Sequence, residues 1–442
     1  MHFRISRLTK IILVTSFPAV VQMLLKMLIG VVDKVMVGQL GESAIAGVGV
    51  AEQLVFFLLM LFSSISAGVN ALASQCVGAG RFERLRPIFG SAMTAGFVSA
   101  IFFNAVFYIY PGELLALLGA NAEIAAAGTV YLKITSFSIV SITLTFMMTA
   151  VFRAFADNKT PMYASLAAIV INTALAFIFI FGMKLGVAGA GFAALTARLS
   201  ELFIMAYLFE RRKARTTLSI RDSFSFDKKM SGEIFRLGWP VTLDMLVWQL
   251  AAVASTLMIL KLGTASAGAN EVIKMMQGVA LMPVVGIAMA ASSLVGQSLG
   301  RGDFDGAKRL AARILSVSFI LALFISILTA LFAHKIPAIF NFSAETRGLA
   351  AGSILIICAF QALFVFNICI PNILRTGGDS RAIVYISGSS MWLAGIPLAY
   401  LLGIKYGFGL YGVIIGANIG ETIKSVFFYL RFRRGVWIKK LI

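Results

Sequence analysis

The sequence predicts an all-α integral membrane protein with twelve transmembrane helices in two parallel, pseudo-symmetric six-helix lobes. Three observations lead to this prediction: the composition is apolar, the apolar residues fall into long runs, and the second half of the chain repeats the first. Hydrophobic residues make up 60% and charged residues 13% of the 442 positions, and the mean hydropathy is +0.93. A soluble domain of this size would have too few polar residues to cover its surface, so we expect the bilayer to be its solvent.

Twelve hydrophobic stretches are long enough to cross a bilayer as helices. A transmembrane helix needs about 20 apolar residues, whereas a strand of a membrane barrel needs only about 10. Because lipid offers no hydrogen-bond partner to an open backbone, runs of this length are expected to be helical. They cover residues 11–37, 44–76, 88–110, 127–152, 161–182, 187–209, 237–261, 268–298, 310–333, 348–373, 382–404 and 410–430.

The two halves of the chain match when one is shifted by 222 residues. Three pairs of positions carry the match: Pro18 with Pro240, a Gln-x-x-Gly-x-Gly-x-Phe motif at 75–82 and 297–304, and an Arg-x3-Asp motif at 153–157 and 375–379. Six spans return the chain to the side on which it began, so the two copies are predicted to be parallel, an arrangement found in transporters. The predicted domains are an N-terminal lobe at 1–209, a cytoplasmic linker at 210–236 and a C-terminal lobe at 237–442. We expect the linker to be a solvated tether that lets the lobes move.

The basic residues are concentrated on one side of the predicted membrane. Alternate connections between spans hold 27 of the 38 lysines and arginines, and the opposite connections hold five. By the positive-inside rule, both termini are predicted to be cytoplasmic in a multi-pass protein of the inner (plasma) membrane. The net charge of +19 is explained by this topology, so the predicted partners are membrane lipids and not nucleic acid. We expect the protein to work as a monomer.

No cofactor or metal site is predicted. Cys76, Cys358 and Cys369 lack metal-ligand spacing, and His2 and His334 are the only histidines, which argues against zinc or haem. A prenyl or acyl transferase embedded in the membrane would need clustered aspartates or a catalytic histidine. The sequence therefore predicts that the protein is not an enzyme.

A charge inside a bilayer costs at least about 2.5 kcal/mol on insertion scales, so each ionisable residue within a span needs a partner or a purpose. Six of them form three pairs at i, i+3 spacing, which puts opposite charges on one helical face. These pairs are Arg198 with Glu201, Glu271 with Lys274, and Glu421 with Lys424. We predict that each pair neutralises itself; the alternative is that a member faces a cavity.

Asp33 has no such partner. The adjacent Lys34 points about 100° away on a helix, and the surrounding residues are mostly apolar. Loss of water favours the protonated form of a carboxyl group, so Asp33 is predicted to load and release a proton. The alternative is a carboxylate paired with a lysine such as Lys26 or Lys133.

Glu52 and Asp244 are the other unpaired acids, and each is predicted to line a cavity or, alternatively, to be a hydrogen-bonded acid of the interior. Trp248 follows Asp244 by one turn on the same face, a combination suited to an organic cation. Pro18 and Pro240 lie inside the first helix of each lobe. Each proline leaves a backbone carbonyl unpaired and is predicted to form a hinge.

The segments 74–80 (SQCVGAG) and 152–161 (FRAFADNKTP) resemble two loops of the multidrug and toxic compound extrusion (MATE) family, which belongs to the multidrug/oligosaccharidyl-lipid/polysaccharide flippase superfamily. The resemblance extends along almost the whole chain. The fifteen-residue step from Pro18 to Asp33 is similar to the first helix of the family, whose proline bends and whose aspartate is protonated during transport. The resemblance implies an alternating-access antiporter that exports amphipathic, cationic organic compounds in exchange for H+ or Na+, with Asp33 as the coupling carboxylate.

The chain departs from the family pattern at several site positions. Asn172 matches an asparagine of helix 5 in the branch whose proton site lies in the N-terminal lobe, so it is expected to hydrogen-bond the carboxyl group of Asp33 as a second ion-coupling residue. Ala176, however, stands where that branch has an aspartate. In the branch with an acid in helix 7, the matching position is Trp248, with Asp244 one turn earlier. A flippase for a lipid-linked saccharide is the alternative within the superfamily, and its cavity would be expected to be basic.

Overall fold

A computed structural model describes residues 7–340 and 342–442, apart from the side chains of Arg7, Lys26, Ile29, Val31, Ala214 and Arg215. Every regular element in these ranges is helical. Eleven helices are long and apolar enough to cross a membrane, or up to 12 if a bent pair of helices forms one span. The predicted all-α, multi-span fold class is therefore confirmed.

The described residues of the first half form nine α-helices. They are α1 (Arg7–Gly38), α2 (Glu42–Ala79), α3 (Leu85–Ile109), α4 (Pro111–Leu117), α5 (Ala122–Ser136), α6 (Ser138–Ala154), α7 (Lys159–Phe177), α8 (Gly186–Arg211) and α9 (Lys213–Thr216). A π-helical segment, Ile178–Gly182, continues α7 to the length of a full span.

In the second half, residues 342–442 and the described residues before them form eight more α-helices. They are α10 (Lys228–Leu260), α11 (Thr264–Arg301), α12 (Phe304–Leu331), α13 (Lys335–Ala338), α14 (Ala344–Thr376), α15 (Ser380–Ser389), α16 (Ile396–Tyr400) and α17 (Gly409–Arg433). The π-helical segments Ser390–Gly395 and Leu401–Lys405 join α15 and α16 into one span.

The predicted span at 127–152 is bent. Its two parts, α5 and α6, meet at an angle of 49°. Around the break, the hydroxyl groups of Thr135, Ser136 and Ser138 each donate to a carbonyl of the preceding turn, at 2.8, 2.8 and 2.6 Å. Such bonds compete with the helical ladder and bend helices, so the cluster of hydroxyl residues explains a break that hydropathy does not report.

The chain folds into two compact units whose boundaries fall inside α1 and α10. One unit is Val21–Gly238, and the other combines Trp239–Ile442 with the part of α1 up to Val20. The predicted lobes follow the order of the sequence, whereas the compact units exchange the beginnings of these two helices. Both boundaries lie within a few residues of Pro18 or Pro240.

Each exchanged segment packs tightly within its own unit. Ile12 of α1 is fully buried in the core of the second unit with residues of α11, α14 and α17, and a Cβ atom on Gly286 would lie 2.3 Å from Val20 Cγ2. In the first unit, a Cβ atom on Gly68 would lie 2.8 Å from the carbonyl oxygen of Ile234. Both glycines therefore allow an approach that a side chain would prevent.

The segment between α9 and α10 is folded onto the first unit, which differs from the predicted solvated tether. Arg86 Nε is 2.8 Å from Asp222 Oδ1, and Ser91 Oγ donates to the carbonyl oxygen of Asp227 at 3.0 Å. A Cβ atom on Gly90 would lie 2.2 Å from the carbonyl oxygen of Ser225. Hydrogen bonds and an ion pair therefore hold an ordered segment against α3.

The repeated Arg-x3-Asp motif has the same role in both halves. Asp157 forms an ion pair with Arg212, just after α8, and Asp379 forms a bidentate ion pair with Arg431 of α17 at 2.7 and 2.9 Å. In each half, the aspartate thereby ties a loop to the end of a later helix.

Candidate functional site

Asp33 and Asn172, which the sequence analysis places together in the ion-coupling site, are in contact. Asn172 Nδ2 on α7 donates a hydrogen bond to Asp33 Oδ1 on α1 at 2.7 Å, and Asn172 is buried. None of the salt bridges formed by described side chains includes Asp33. Lys133, one of the two alternative partners, lies over the ring of Tyr108 at 5.9 Å, and the side chain of Lys26 lies outside the described part of the structure.

Asp33 opens onto a small cavity in the first unit. Glu52 of α2 and Tyr131 of α5 also line it, and the rest of the wall is Lys34 with the mainly apolar set Met36, Val37, Ile45, Val48, Gly49, Ala176, Ile180 and Ala190. The volume open to water is about 20 Å³, enough for a water molecule or a bare monovalent ion. Ala176, which stands in place of an expected aspartate, forms part of the apolar wall.

Two carboxyl groups around so small a cavity favour the uptake of a cation. When Asp33 and Glu52 are both ionised they repel each other, and the apolar wall provides little solvent to screen that repulsion. The positive charges of Lys34 and Arg198 also act on Glu52 and offset part of the repulsion. A proton or a monovalent cation bound between them would relieve it. The cavity is too small for a drug-sized molecule, which fills about 300 Å³ or more.

Tyr131 was not predicted as a site residue. It is buried and brings the only phenol among the residues that line the cavity. Its sequence signal is weak, because a tyrosine near the middle of a hydrophobic stretch is more often a packing residue than a ligand. The bend between α5 and α6, which sequence also did not predict, follows a few residues later.

A buried chain of hydrogen bonds connects α1, α7 and α8 in the same unit. Gln22 Nε2 donates to Ser165 Oγ at 2.7 Å, and Ser165 Oγ donates to Glu201 Oε1 at 2.7 Å. Arg198 Nη1 lies 3.2 Å from Glu201 Oε2, so the predicted Arg198–Glu201 pair is confirmed. Together with the Asp33 contact, this network joins α1 to α7 at two levels about three helical turns apart along α1.

The other two predicted ion pairs are also confirmed. Lys274 Nζ is 2.9 Å from Glu271 Oε1, and both side chains are exposed. Lys424 Nζ is 3.4 Å from Glu421 Oε2, with both side chains mostly buried.

Asp244 and Trp248 belong to the second unit and are not among the residues that line the Asp33 cavity. Asp244 Oδ1 is buried and has no hydrogen-bond partner among the described residues, and the charge of Arg375 acts on it. Trp248 is 44% exposed. Pro18 and Pro240 both lie inside helices that continue past them, α1 and α10.

Comparisons with known proteins give a consistent result. The MatE family model matches residues 18–178 and 240–401. An uncharacterized transporter of Bacillus subtilis, YisQ, is 25% identical, with 96% of this chain and 94% of that protein covered. The probable multidrug resistance protein NorM of Agrobacterium fabrum is 26% identical, with 96% and 93% covered.

Solved structures match at the level of the fold. A crystal structure of MATE in the bent conformation has a TM-score of 0.91 at 19% identity and covers 98% of this chain and 96% of its own. A mutant of the Vibrio cholerae MATE transporter VcmN has a TM-score of 0.90 at 21% identity, with 97% and 96% covered. Since the family model matches well over half of the sequence in two repeated segments, the chain belongs to the MatE family, the multidrug and toxic compound extrusion transporters.

Proposed function

We propose that this protein exports amphipathic organic cations across the inner membrane in exchange for an inward-moving proton or sodium ion, with Asp33 as the coupling carboxylate. The observation that carries the proposal is the placement of Asp33: it faces a cavity of ionic size and is balanced by the amide of Asn172. One of the relatives, NorM, is named as a probable multidrug resistance protein. That shared ancestry supports drug export as the activity.

In the proposed cycle, the ion acts on the contact between α1 and α7. An ionised Asp33 accepts a charge-assisted hydrogen bond from Asn172, and such bonds contribute about 1.5–3 kcal/mol. A proton or sodium ion that neutralises Asp33 weakens this bond and loosens α1 from α7 at this level, while Gln22 of α1 stays bonded to Ser165 of α7. The missing backbone N–H at Pro18 makes α1 easy to bend there, so ion binding becomes a movement of the helix.

Cargo binding requires a larger space than the Asp33 cavity. We propose that movement of α1 opens this space, with Glu52 lining it in the first lobe. Asp244 and Trp248 are the proposed cation-binding residues of the second lobe, and Pro240 is its hinge. A lipid-linked saccharide is a less suitable cargo, because its pyrophosphate would meet the carboxylates of Asp33 and Glu52.

A resistance assay tests the proposed role of Asp33. Asp33→Asn keeps the size of the side chain and removes its charge, so a pump-deficient strain that carries it should be as drug-sensitive as one without the transporter. Glu271→Gln is the matched control, because it removes an exposed acid from the confirmed Glu271–Lys274 pair, and it should retain resistance. Full resistance with Asp33→Asn, at equal amounts of protein in the membrane, would overturn the assignment.

A further inference from the structure

A buried ion pair lies halfway along α17 in the second unit, away from the proposed coupling site. It consists of Glu421 and Lys424, whose side chains are only 15% and 7% exposed. A lone charge in the middle of a membrane helix costs several kcal/mol, so a charged residue at such a position is expected to have an ion-pair partner or a functional role. Nothing in the proposed cycle uses this pair.

The ammonium group of Lys424 is poorly supplied with acceptors. It has three N–H donors, but its described partners are Glu421 Oε2 at 3.4 Å and the sulfur of Met391, a weak acceptor, at 4.0 Å. Next to it, a Cβ atom on Gly420 would lie 2.4 Å from Gly395 Cα, so the neighbouring span is in direct contact. Lys424 is therefore held mainly by the charge of the carboxylate.

The carboxylate of Glu421, in contrast, is positioned without help from Lys424. Asn367 of α14 donates from Nδ2 to Glu421 Oε2 at 2.7 Å and to the Glu421 carbonyl oxygen at 2.9 Å. Ser425 Oγ lies 3.0 Å from Asn367 Oδ1, which fixes the orientation of that amide. Glu421 Oε2 therefore accepts from a neutral amide and lies beside the ammonium group of Lys424. A buried carboxylate positioned by a neutral donor and lying beside a cation has the chemistry of a monovalent-cation site.

Other charges lie at a distance from this pair. The remaining charged residues on the helices that pack against α17, and on α17 itself, are Glu345, Arg347, Arg375, Arg381, Lys405, Arg431 and Arg433. Along its helix, each is about two turns or more from Asn367, Met391 or Lys424. The state of Glu421 therefore depends chiefly on Lys424.

We propose that Lys424 is a tethered counter-ion that permanently occupies a monovalent-cation site built by Glu421 and Asn367. If Asp33 is the coupling residue, as proposed above, this arrangement explains why the ion from solution binds in the first lobe. The carboxylate on α17 cannot compete for that ion, because Lys424 already neutralises it. Removal of the ammonium group leaves a buried, positioned carboxylate, which takes sodium or a proton from solution.

The test is a gain of ion binding in purified protein, measured in an Asp33→Asn background so that the proposed coupling site does not contribute. Radiolabelled sodium binding at alkaline pH and the infrared band of a protonated carboxyl group distinguish the two possible ions. Lys424→Met should gain either a stoichiometric sodium site or the carboxyl band. The gain should vanish when Glu421→Gln is added. Lys274→Met breaks an exposed pair of the same spacing and should gain neither signal.

Two further variants keep the outcome decisive. If Lys424→Met does not accumulate as folded protein, Lys424→Gln removes the charge and keeps a polar group, and it should show the same gain. Lys424→Arg keeps the site occupied and should show none. The proposal is overturned if a folded, charge-removing variant binds neither sodium nor a proton, or if the parent already binds sodium in a way that Glu421→Gln abolishes.

Discussion

At Asp33, a carboxylate in an apolar helix is balanced by a single amide donor, Asn172 Nδ2 at 2.7 Å, and not by a salt bridge. Breaking a buried salt bridge costs about 3–5 kcal/mol, more than a charge-assisted hydrogen bond, which contributes about 1.5–3 kcal/mol. The weaker bond suits a residue that must bind and release an ion repeatedly. It is still strong enough to change the balance between two positions of α1 by about ten-fold or more.

Removal of the donor should slow transport. Asn172→Ala leaves Asp33 without its described partner, so we expect drug efflux to fall by about ten-fold, measured as the initial rate of dye export from cells. Asn418→Ala is the control, because among the described residues that amide donates only to the carbonyl oxygen of Ile414, one turn earlier in its own helix. Equal rates for the two variants would contradict the proposed role of Asn172.

At this scale, sequence could predict the residues whose burial in the membrane costs much free energy. The charge of Asp33 marked it inside a hydrophobic stretch, and the i, i+3 spacing of Arg198 with Glu201 and of Glu421 with Lys424 predicted the pairs that the structure contains. Tyr131 and Gln22 are neutral and give no such signal. Only the fold reveals that one lines the Asp33 cavity and the other begins a buried hydrogen-bonded chain.

At the scale of elements, Ser165 links Gln22 of α1 with Glu201 of α8. Ser165→Ala removes both hydrogen bonds, so among the described residues the amide of Gln22 keeps only its 3.3 Å bond to the Pro161 carbonyl oxygen and Glu201 Oε1 loses one donor. We expect it to lower the free energy of unfolding by about 2 kcal/mol. Thermal unfolding in detergent measures the loss of stability. Ser99→Ala is the control, because among the described residues its hydroxyl group bonds only to carbonyl oxygens of its own helix. Equal unfolding temperatures would show that the chain does not stabilise the helices.

The exchanged beginning of α1 gives a second prediction for elements. Gly286→Ala places a Cβ atom 2.3 Å from Val20 Cγ2 and 3.0 Å from Val20 N, so we expect it to destabilise the protein by about 1–3 kcal/mol. Gly278→Ala lies on the same helix with nothing within 4 Å of the added atom, and it should be neutral or slightly stabilising. A neutral Gly286→Ala would mean that Val20 does not pack as described.

The elements themselves were only partly predictable. Hydropathy located the spans, because apolar length is what a bilayer requires. It could not locate the bend between α5 and α6, which depends on the hydroxyl groups of Thr135, Ser136 and Ser138. It also could not predict that the segment before α10 folds onto α3. Both depend on hydrogen bonds to specific backbone atoms, which composition does not encode.

At the scale of the whole molecule, the distribution of basic residues predicts the orientation in the membrane. A cysteine replacing Arg221, which is exposed in the segment before α10, should react with a membrane-impermeant thiol reagent only after cells are permeabilised. A cysteine replacing Lys184, exposed in an opposite connection, should react in intact cells. The native Cys76 and Cys369 are buried and should add little background. The reverse labelling pattern would contradict the positive-inside assignment.

The repeat predicted two lobes of consecutive residues, and the structure adds that the compact units exchange the beginnings of α1 and α10. Sequence periodicity records the duplication but not which unit a helix end packs against, because that depends on contacts of small residues such as Gly68 and Gly286. Both exchanges occur beside prolines. A bend at either proline would therefore act at the point where the chain passes from one unit to the other.

The central claim is that a cation bound at Asp33 drives export, and exchange in proteoliposomes tests it most directly. The protein is reconstituted into liposomes together with a fluorescent organic cation, and either a proton gradient or a sodium gradient is imposed. The movement of the organic cation against its own concentration gradient is then recorded. We predict that one of the two gradients drives uphill movement in the native protein and neither does so in Asp33→Asn. Uphill movement that persists in Asp33→Asn would contradict the account.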